Sequence, residues 1–554
     1  MSEFALDKAL RITEDFGTFE CRKFRERIFS AHEFLCLPLA HHYKRIAERE
    51  SHVAANTELR QLHKLLTLGK SFEGLFITSS DDEVKEFARH KAKQVSTIFI
   101  QNEKALGPTI ALEKVIAIIE RCEFEFPHPE PLQASPEELA PALARTFDEQ
   151  WWRRQIRKRQ DFILEAVHIR LGLVNKRSGI YASNHGVKRK FSQWNRNEGL
   201  LARLVAENDL GQVFSLLDIT KRGVSNLTNR RNELMTRLSG FEGISAKRGD
   251  IGVFVTLTAP SKYHSHLSNP CVPNPKYQGH TPADAQAHLN RQWSKIRAKF
   301  DRMGIKPYGF RVVEPHHDGC PHWHLLLFLP QPQVKPAIEV MRHYAMEIDG
   351  DEAGADKHRL KVEYIDPAKG TATGYIAKYI AKNIDGVDVG EDLHGHDAIE
   401  SATRIRAWAS TWNIRQFQQI GGPGVTAWRE CRRLSHSDLK EAVLNSVGDE
   451  KLGEIVKAAD EGDWERFVEL FGGPTVARKD QPLRAYQVVK STLNKYGEEA
   501  KKLIGLLYRG IEKVRTRLFE WTIRPITEAE QDSGFTPLNF SSGGANAPPL
   551  EFCQ

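Results

Sequence analysis

Cysteine is scarce and scattered: the seven in 554 residues stand at 21, 36, 122, 271, 320, 431 and 553, odd in number and never spaced as Cys-x-x-Cys. That pattern excludes a disulfide framework and a zinc ribbon, and the thiols are expected to be free. Long apolar runs are missing too, so no membrane association is expected. Met1 to Lys8 lacks the basic-then-apolar order of a secretory signal, which makes a cytosolic protein the expectation. A complete phosphate-binding loop is also absent. Leu68-Gly69-Lys70-Ser71 has the ending of one, but the position that requires the first glycine is Lys64, which excludes an ATPase of that type.

What is present is a chain too long for one core, with roughly two to four domains expected. Its hydrophobic fraction of 40% and charged fraction of 27% are ordinary for a soluble protein. The net charge of +7 is unevenly spread: residues 151–203 hold thirteen Lys/Arg against three Asp/Glu, so the remainder is about −3. There Trp151, Trp152, Tyr181, Phe191 and Trp194 alternate with Arg153, Arg154, Arg157, Lys188, Arg189, Lys190 and Arg196. Cations for phosphates beside rings for bases suit a nucleic acid; the competing reading is a solvated helix face with its rings in the core.

Residues 1–145 read as helical, with periodic Leu59, Leu62, Leu65 and Leu66, and 146–247 as a basic, DNA-contacting region. Val253–Thr258 is a β-branched run that opens a new domain, expected over 248–425. Thr281-Pro282 starts a helix carrying Leu289, Trp293, Ile296 and Phe300 on one face. Strands are expected at 309–314, 322–329 and 359–364, and helices at 336–348 and 373–384. The order is an α+β pattern with a largely antiparallel sheet. Residues 426–530 read as helical, and 531–554 lack material for a core and are expected to be disordered.

Three His-x-His pairs occur, at 264/266, 322/324 and 394/396, so spacing alone discriminates little. His322-Trp-His324 differs in opening an apolar β run, where alternate residues share a face and both imidazoles project together. Glu314 ends the preceding strand, and a hairpin through Pro315 to Pro321 brings its carboxylate beside His322. Two imidazoles and a carboxylate suit Mn²⁺, Zn²⁺ or, with further oxygen ligands, Mg²⁺; Asp318 and Glu363 are alternative third ligands. The bland reading is a histidine pair satisfied locally at a strand edge.

Tyr375, Lys378, Tyr379 and Lys382 fall in one arc of a helix whose other side is Ile376, Ala377, Ile380, Ala381 and Ile384. Residues i and i+4 lie about 6 Å apart, so both phenols can reach one phosphate in turn. A phenol with a pKa of about 10 needs a cation on the electrophile and ammonium groups beside the phenolate, for which Lys378 and Lys382 are placed.

These residues, with Trp151-Trp-Arg-Arg-Gln, Tyr308 to Gly319, Pro321 to Phe328, Ala372 to Asn383 and Trp412 to Gly422, closely resemble the replication gene A proteins of temperate phages, a branch of the HUH endonucleases. The first and last 120 residues match more weakly. The resemblance implies an HUH-nuclease core with a central antiparallel sheet, flanked by largely helical terminal regions. It implies site- and strand-specific nicking of a phage replication origin with Mg²⁺ or Mn²⁺, a 5′-phosphotyrosyl intermediate, and initiation and termination of rolling-circle replication. The second tyrosine would cut the regenerated origin and close the circle. Implied partners are single-stranded or supercoiled origin DNA and, since the chain lacks a motor motif, a host helicase and replication machinery in the bacterial cytoplasm. Relaxases place the tyrosine before the histidines; here both tyrosines follow. The rival readings are a zinc-dependent hydrolase or deaminase on His322, His324 and Glu314, and a non-enzymatic origin-binding protein.

Overall fold

Capping chemistry and apolar spacing set the helices that dominate the first third of the chain. Ser80 and Ser135 each open a helix with a capping box, closed by Glu83 and Glu138. Leu59, Leu62 and Leu66 of helix His52–Leu66 face inward, whereas Leu65, expected among them, is 40% exposed. The structure, a computed structural model, describes residues 2–366, 368, 370–387, 397–437 and 440–532. These divide into two compact units, Met1–Gly179 with Lys490–Ala500, and Ile180–Val489 with Lys501 onward. The division passes through the basic stretch that the sequence presents as continuous.

The first unit is helical. Trp151 and Trp152 begin helix Glu149–Arg170 and are buried against Phe124, not offered to solvent. For these two rings the structure takes the competing reading, a helix with its rings in the core: their neighbours Arg153 and Arg154 take the exposed side of the turn. The segment Lys490–Ala500 docks on this unit by its turn. Tyr496 donates its hydroxyl to Asp148 at 2.5 Å, and Glu498 pairs with Arg145 at 2.6 Å.

The second unit is built on a five-stranded sheet in the order Leu360–Tyr364, Ile251–Thr258, Pro321–Leu329, Tyr308–Pro315, Phe417–Ile420, every neighbour antiparallel. One face, with Trp323, Leu325 and Leu327, packs under helices Pro282–Arg302 and Gln331–Ala345. The other carries His324, Leu326 and Phe328 with Phe254 and Phe310, and lies under helix Leu227–Arg248 and the tyrosine helix Ala372–Ile384. Ile376, Ile380 and Ile384 of the tyrosine helix are buried there, each contributing about 1.5–3 kcal/mol by removal from water. Gly309 has φ +145°, and a Cβ there would stand 2.0 Å from the Leu326 carbonyl oxygen, so only glycine lets these two strands meet.

Residues 426–530 depart from the helical expectation. Helices end by Leu470, apart from a short turn and Glu528–Asp532, and Leu483–Leu493, Glu499–Tyr508 and Glu512–Arg515 form a three-stranded sheet. Trp521–Pro525 pairs with Leu204–Asn208, which Val213–Ser215 flanks on the other side, a sheet not anticipated from sequence. Lysine and glutamate gave these strands a helix-like composition. The turns decide otherwise: Gly497 takes φ +82°, and Arg509 and Gly510 both take positive φ between paired strands. Residues 533–554, expected to be disordered, lie outside the described residues. The six described cysteines are free, and no described helix is long and apolar enough to cross a membrane.

Candidate active site

Strand pairing sets the site. Glu314 stands directly opposite His322 across the hairpin, and Thr256 stands opposite His324 on the other side. The connecting loop is held by the His316 amide on the Cys320 carbonyl and by the Asp318 carboxylate on the Cys320 amide. Glu314 Oε2 lies 3.4 Å from His324 Nε2 and 3.8 Å from His322 Nε2. Among the described residues this is the one group of three potential ligands whose donor atoms all lie within 4.8 Å of one another.

The donor set fits a divalent cation. Thr256 Oγ1 occupies His324 Nδ1 at 3.1 Å, which leaves Nε2 buried with no hydrogen-bond partner and facing the carboxylate. His322 Nδ1 is likewise buried and partnerless. Burial, reinforced by the neighbouring His324, Lys382 and His264, holds the His322 imidazole well below its ordinary pKa, and so in the neutral form that a cation requires. Burial alone would raise the Glu314 carboxyl, but Lys382, His324 and Asn383 outweigh it and keep it ionised.

The alternative ligands are engaged elsewhere. Asp318 pairs with His264 at 3.3 Å, and Glu363 with Lys361 at 2.5 Å. The backbone amide of His266 also donates to Asp318. His394 and His396 lie outside the described residues.

The tyrosine helix crosses beside these groups. The Tyr379 ring centroid is 4.2 Å from that of His324, and Phe254 contacts His324, Tyr375 and Tyr379 at 5.4, 5.8 and 5.3 Å. Tyr375 is 49% exposed and Tyr379 is half-buried. Burial and the Glu314 and Glu363 carboxylates push the Tyr379 phenol up to about 12, so the bare site disfavours the phenolate. Lys382 is buried with its Nζ 3.7 Å from Glu314 Oε2 and 5.4 Å above the Tyr181 ring, which puts it at the carboxylate; Lys378 is exposed.

Helix Leu227–Arg248 grips the tyrosine helix at both ends. The Glu242 carboxylate accepts from the Ala372 and Thr373 amides at 2.6 and 3.0 Å, and Arg231 pairs with Asp385 at 3.1 Å. Sequence reasoning missed Glu242, Thr256 and Asn383. Thr256 was accessible from strand alternation, as the polar residue in an apolar run; Glu242, on a distant helix, left no local signal. Of the candidate DNA contacts, Arg153 and Arg154 belong to the first unit, and Lys188, Arg189, Lys190 and Trp194 to helix Asn184–Leu201 of the second. Lys188 is exposed, Arg189 half-buried and Lys190 buried, and the half-buried Trp194 ring lies 4.5 Å under the Arg406 guanidinium. Tyr181, the remaining aromatic of that stretch near the site, is buried and so is not available for stacking.

No solved structure matches the chain. Curated relatives do. It is 38% identical over 403 residues to the probable replication protein P12 of Pseudoalteromonas phage PM2, a match covering 71% of this chain and 61% of that one. It is 40% identical over 398 residues to the replication gene A protein of Escherichia phage 186, covering 70% and 56%. A probable replication endonuclease from a prophage-like region of Salmonella typhi is 32% identical over 429 residues, covering 74% and 53%. The chain thus spans between half and two thirds of the length of these relatives. The model of the bacteriophage replication gene A protein matches residues 78–387, more than half of the sequence and a range that includes the histidine hairpin and both tyrosines: the chain belongs to that family.

Proposed function

We propose that the protein is a site- and strand-specific single-stranded DNA endonuclease and ligase that nicks a phage replication origin and begins and ends rolling-circle replication. One observation carries the reading: the only described ligand triad lies under a helix that brings Tyr379 against His324 and Tyr375 one turn away. The relatives' names, a replication gene A protein and probable replication endonucleases, agree with it.

Glu314, His322 and His324 would hold Mg²⁺ or Mn²⁺. Bound there, such a cation supplies positive charge that withdraws electrons from the scissile phosphate and favours phenolate over phenol. The tyrosine oxygen attacks phosphorus as its proton leaves; the bond from phosphorus to the 3′ oxygen breaks, and that oxygen takes up a proton as the free 3′-hydroxyl. The 5′ end stays on the tyrosine, so the bond energy is retained and rejoining needs no ATP. The second phenol, on the same helix face, repeats the attack on the regenerated origin, and the released 3′-hydroxyl resolves the first linkage. Lys382 steadies the Glu314 charge, and Lys378 remains as the exposed ammonium for a developing phenolate. Arg153, Arg154, Lys188, Arg189 and the half-buried Trp194 would contact origin DNA, whereas the buried Lys190 drops out of that set, and a host helicase would open the nicked duplex.

Supercoiled origin plasmid tests this. With Mn²⁺ the wild type converts it to an open circle, and His324→Ala does not; equal conversion by both refutes the proposal. Extensive ATP-driven unwinding by the protein alone would refute the helicase partner.

A further inference from the structure

Asn383 is fully buried one turn beyond Tyr379, on the same helix. Its Nδ2 donates to Glu314 Oε1 and to the Tyr379 carbonyl oxygen, and its Oδ1 accepts from Gln416 Nε2 at 3.4 Å. Chemistry fixes this orientation. A carboxylate and a carbonyl can only accept, so the amide nitrogen must face both, and the amide oxygen must face the Gln416 donor.

The two carboxylate oxygens of Glu314 therefore have separate roles. Oε1 is held by Asn383, while Oε2 faces His324, Lys382 and His322 at 3.4, 3.7 and 3.8 Å. We infer that Asn383 is a positioning residue that commits Glu314 to bind the cation through Oε2 alone, and that ties the nucleophile helix to the ligand it must work beside. The inference rests on the proposed reading of Glu314, His322 and His324 as the metal ligands.

Without the amide, Oε1 loses a charge-assisted hydrogen bond in a buried site, and the carboxylate can rotate to present both oxygens or to turn toward Lys382. The tyrosine helix does not come loose, because Glu242 and Arg231 hold its ends and three isoleucines hold its inner face. The loss therefore falls on metal affinity before it falls on the fold. A residue serving only to fill the helix interface would have the opposite effect: a change in stability with unchanged affinity for the ion.

The test is Mn²⁺ binding to the full chain without DNA, read from the paramagnetic resonance signal of free Mn²⁺, for wild type, Asn383→Ala, Asn383→Leu and His322→Ala. Leucine keeps the heavy-atom count and branching of asparagine, though its methyl groups are bulkier than the amide, and so fills the interface where alanine leaves a gap. Both Asn383 variants are expected to bind Mn²⁺ about 10–100-fold more weakly, with Asn383→Leu unfolding near the wild-type temperature without metal and forming the DNA adduct again when Mn²⁺ is raised. Wild-type Mn²⁺ affinity in Asn383→Leu, alongside lost binding in His322→Ala, overturns the inference and leaves the metal centre intact. Wild-type affinity in His322→Ala overturns the metal centre itself.

Discussion

Glu242 and Thr373 are separated by 130 residues of chain, yet the Glu242 carboxylate takes both the backbone amide and the hydroxyl of Thr373, and the Ala372 amide beside them. The start of the helix that bears Tyr375 is thus capped from another helix. Anionic oxygens at a helix N-terminus satisfy otherwise orphaned amides and meet the positive end of the helix dipole.

Removing that cap loosens the first turn, which carries Tyr375. Glu242→Ala is expected to lose about 1–2 kcal/mol of stability in denaturant titration, and to slow Tyr375-dependent DNA cleavage more than cleavage through Tyr379. An unchanged unfolding midpoint and unchanged cleavage would show that the contact carries nothing.

The Asp318–His264 pair gives a pH-dependent prediction. Against the penalty of burial, Cys320 and Asp318 hold the His264 imidazole well above its ordinary pKa, and His264 and its neighbouring histidines keep Asp318, despite burial, well below the carboxylate range. A raised histidine stabilises fully below its unfolded value of about 6.5 and loses that contribution as pH rises through the folded value; a depressed carboxyl stabilises above about 4 and loses its contribution on acidification. The pair therefore stabilises most between these limits. Asp318→Asn should lose about 1–3 kcal/mol at pH 5.5, and less at pH 9. Equal losses at the two pH values, by urea unfolding, would contradict the assignment.

Gly309 sits where the carboxylate strand crosses the histidine strand, with no room for a methyl group. Gly309→Ala is expected to cost on the order of 3 kcal/mol through strain and strand displacement, and to weaken Mn²⁺ binding because Glu314 moves with its strand. Thermal unfolding and Mn²⁺ titration check the two parts.

The histidine hairpin was legible in the sequence because strands repeat every second residue: placing His322 and His324 on one face and folding back through a Pro-bounded loop leaves Glu314 opposite His322. The helix start at Thr281-Pro282 was legible because an N-cap threonine followed by proline is a local signal, and Asp284 completes a capping box there. The sheet joining Leu204–Asn208 to Trp521–Pro525 was not, since its partners are more than 300 residues apart in the chain and neither strand alternates cleanly. The strands after Leu483 were hidden by Lys- and Glu-rich composition, although Gly497 and Gly510 marked their turns. In the site, the grouping of Glu314 with His322 and His324 and the spacing of the phenols could be read from the chain; the diversion of Lys382 to Glu314, and of Asp318 to His264, could not, because each depends on which distant charge the fold brings alongside.

Lys188 and Arg189 lie on the outer side of helix Asn184–Leu201, exposed and half-buried respectively. If each meets a phosphate, Lys188→Ala and Arg189→Ala each reduce the slope of log affinity against log salt on single-stranded DNA by about 0.7. Fluorescence anisotropy across a salt series measures this, and an unchanged slope places the DNA elsewhere.

The central claim, that two phenols serve one metal-held phosphate, is tested most directly by incubating 5′- and 3′-labelled single-stranded origin DNA with Mn²⁺ and resolving the products in SDS. The account predicts a protein-linked 5′ end and a free 3′-hydroxyl for the wild type, a remaining adduct in Tyr375→Phe or Tyr379→Phe alone, and none in the double substitution. An adduct of undiminished yield in the double substitution, or cleavage leaving no linked protein at all, would contradict it.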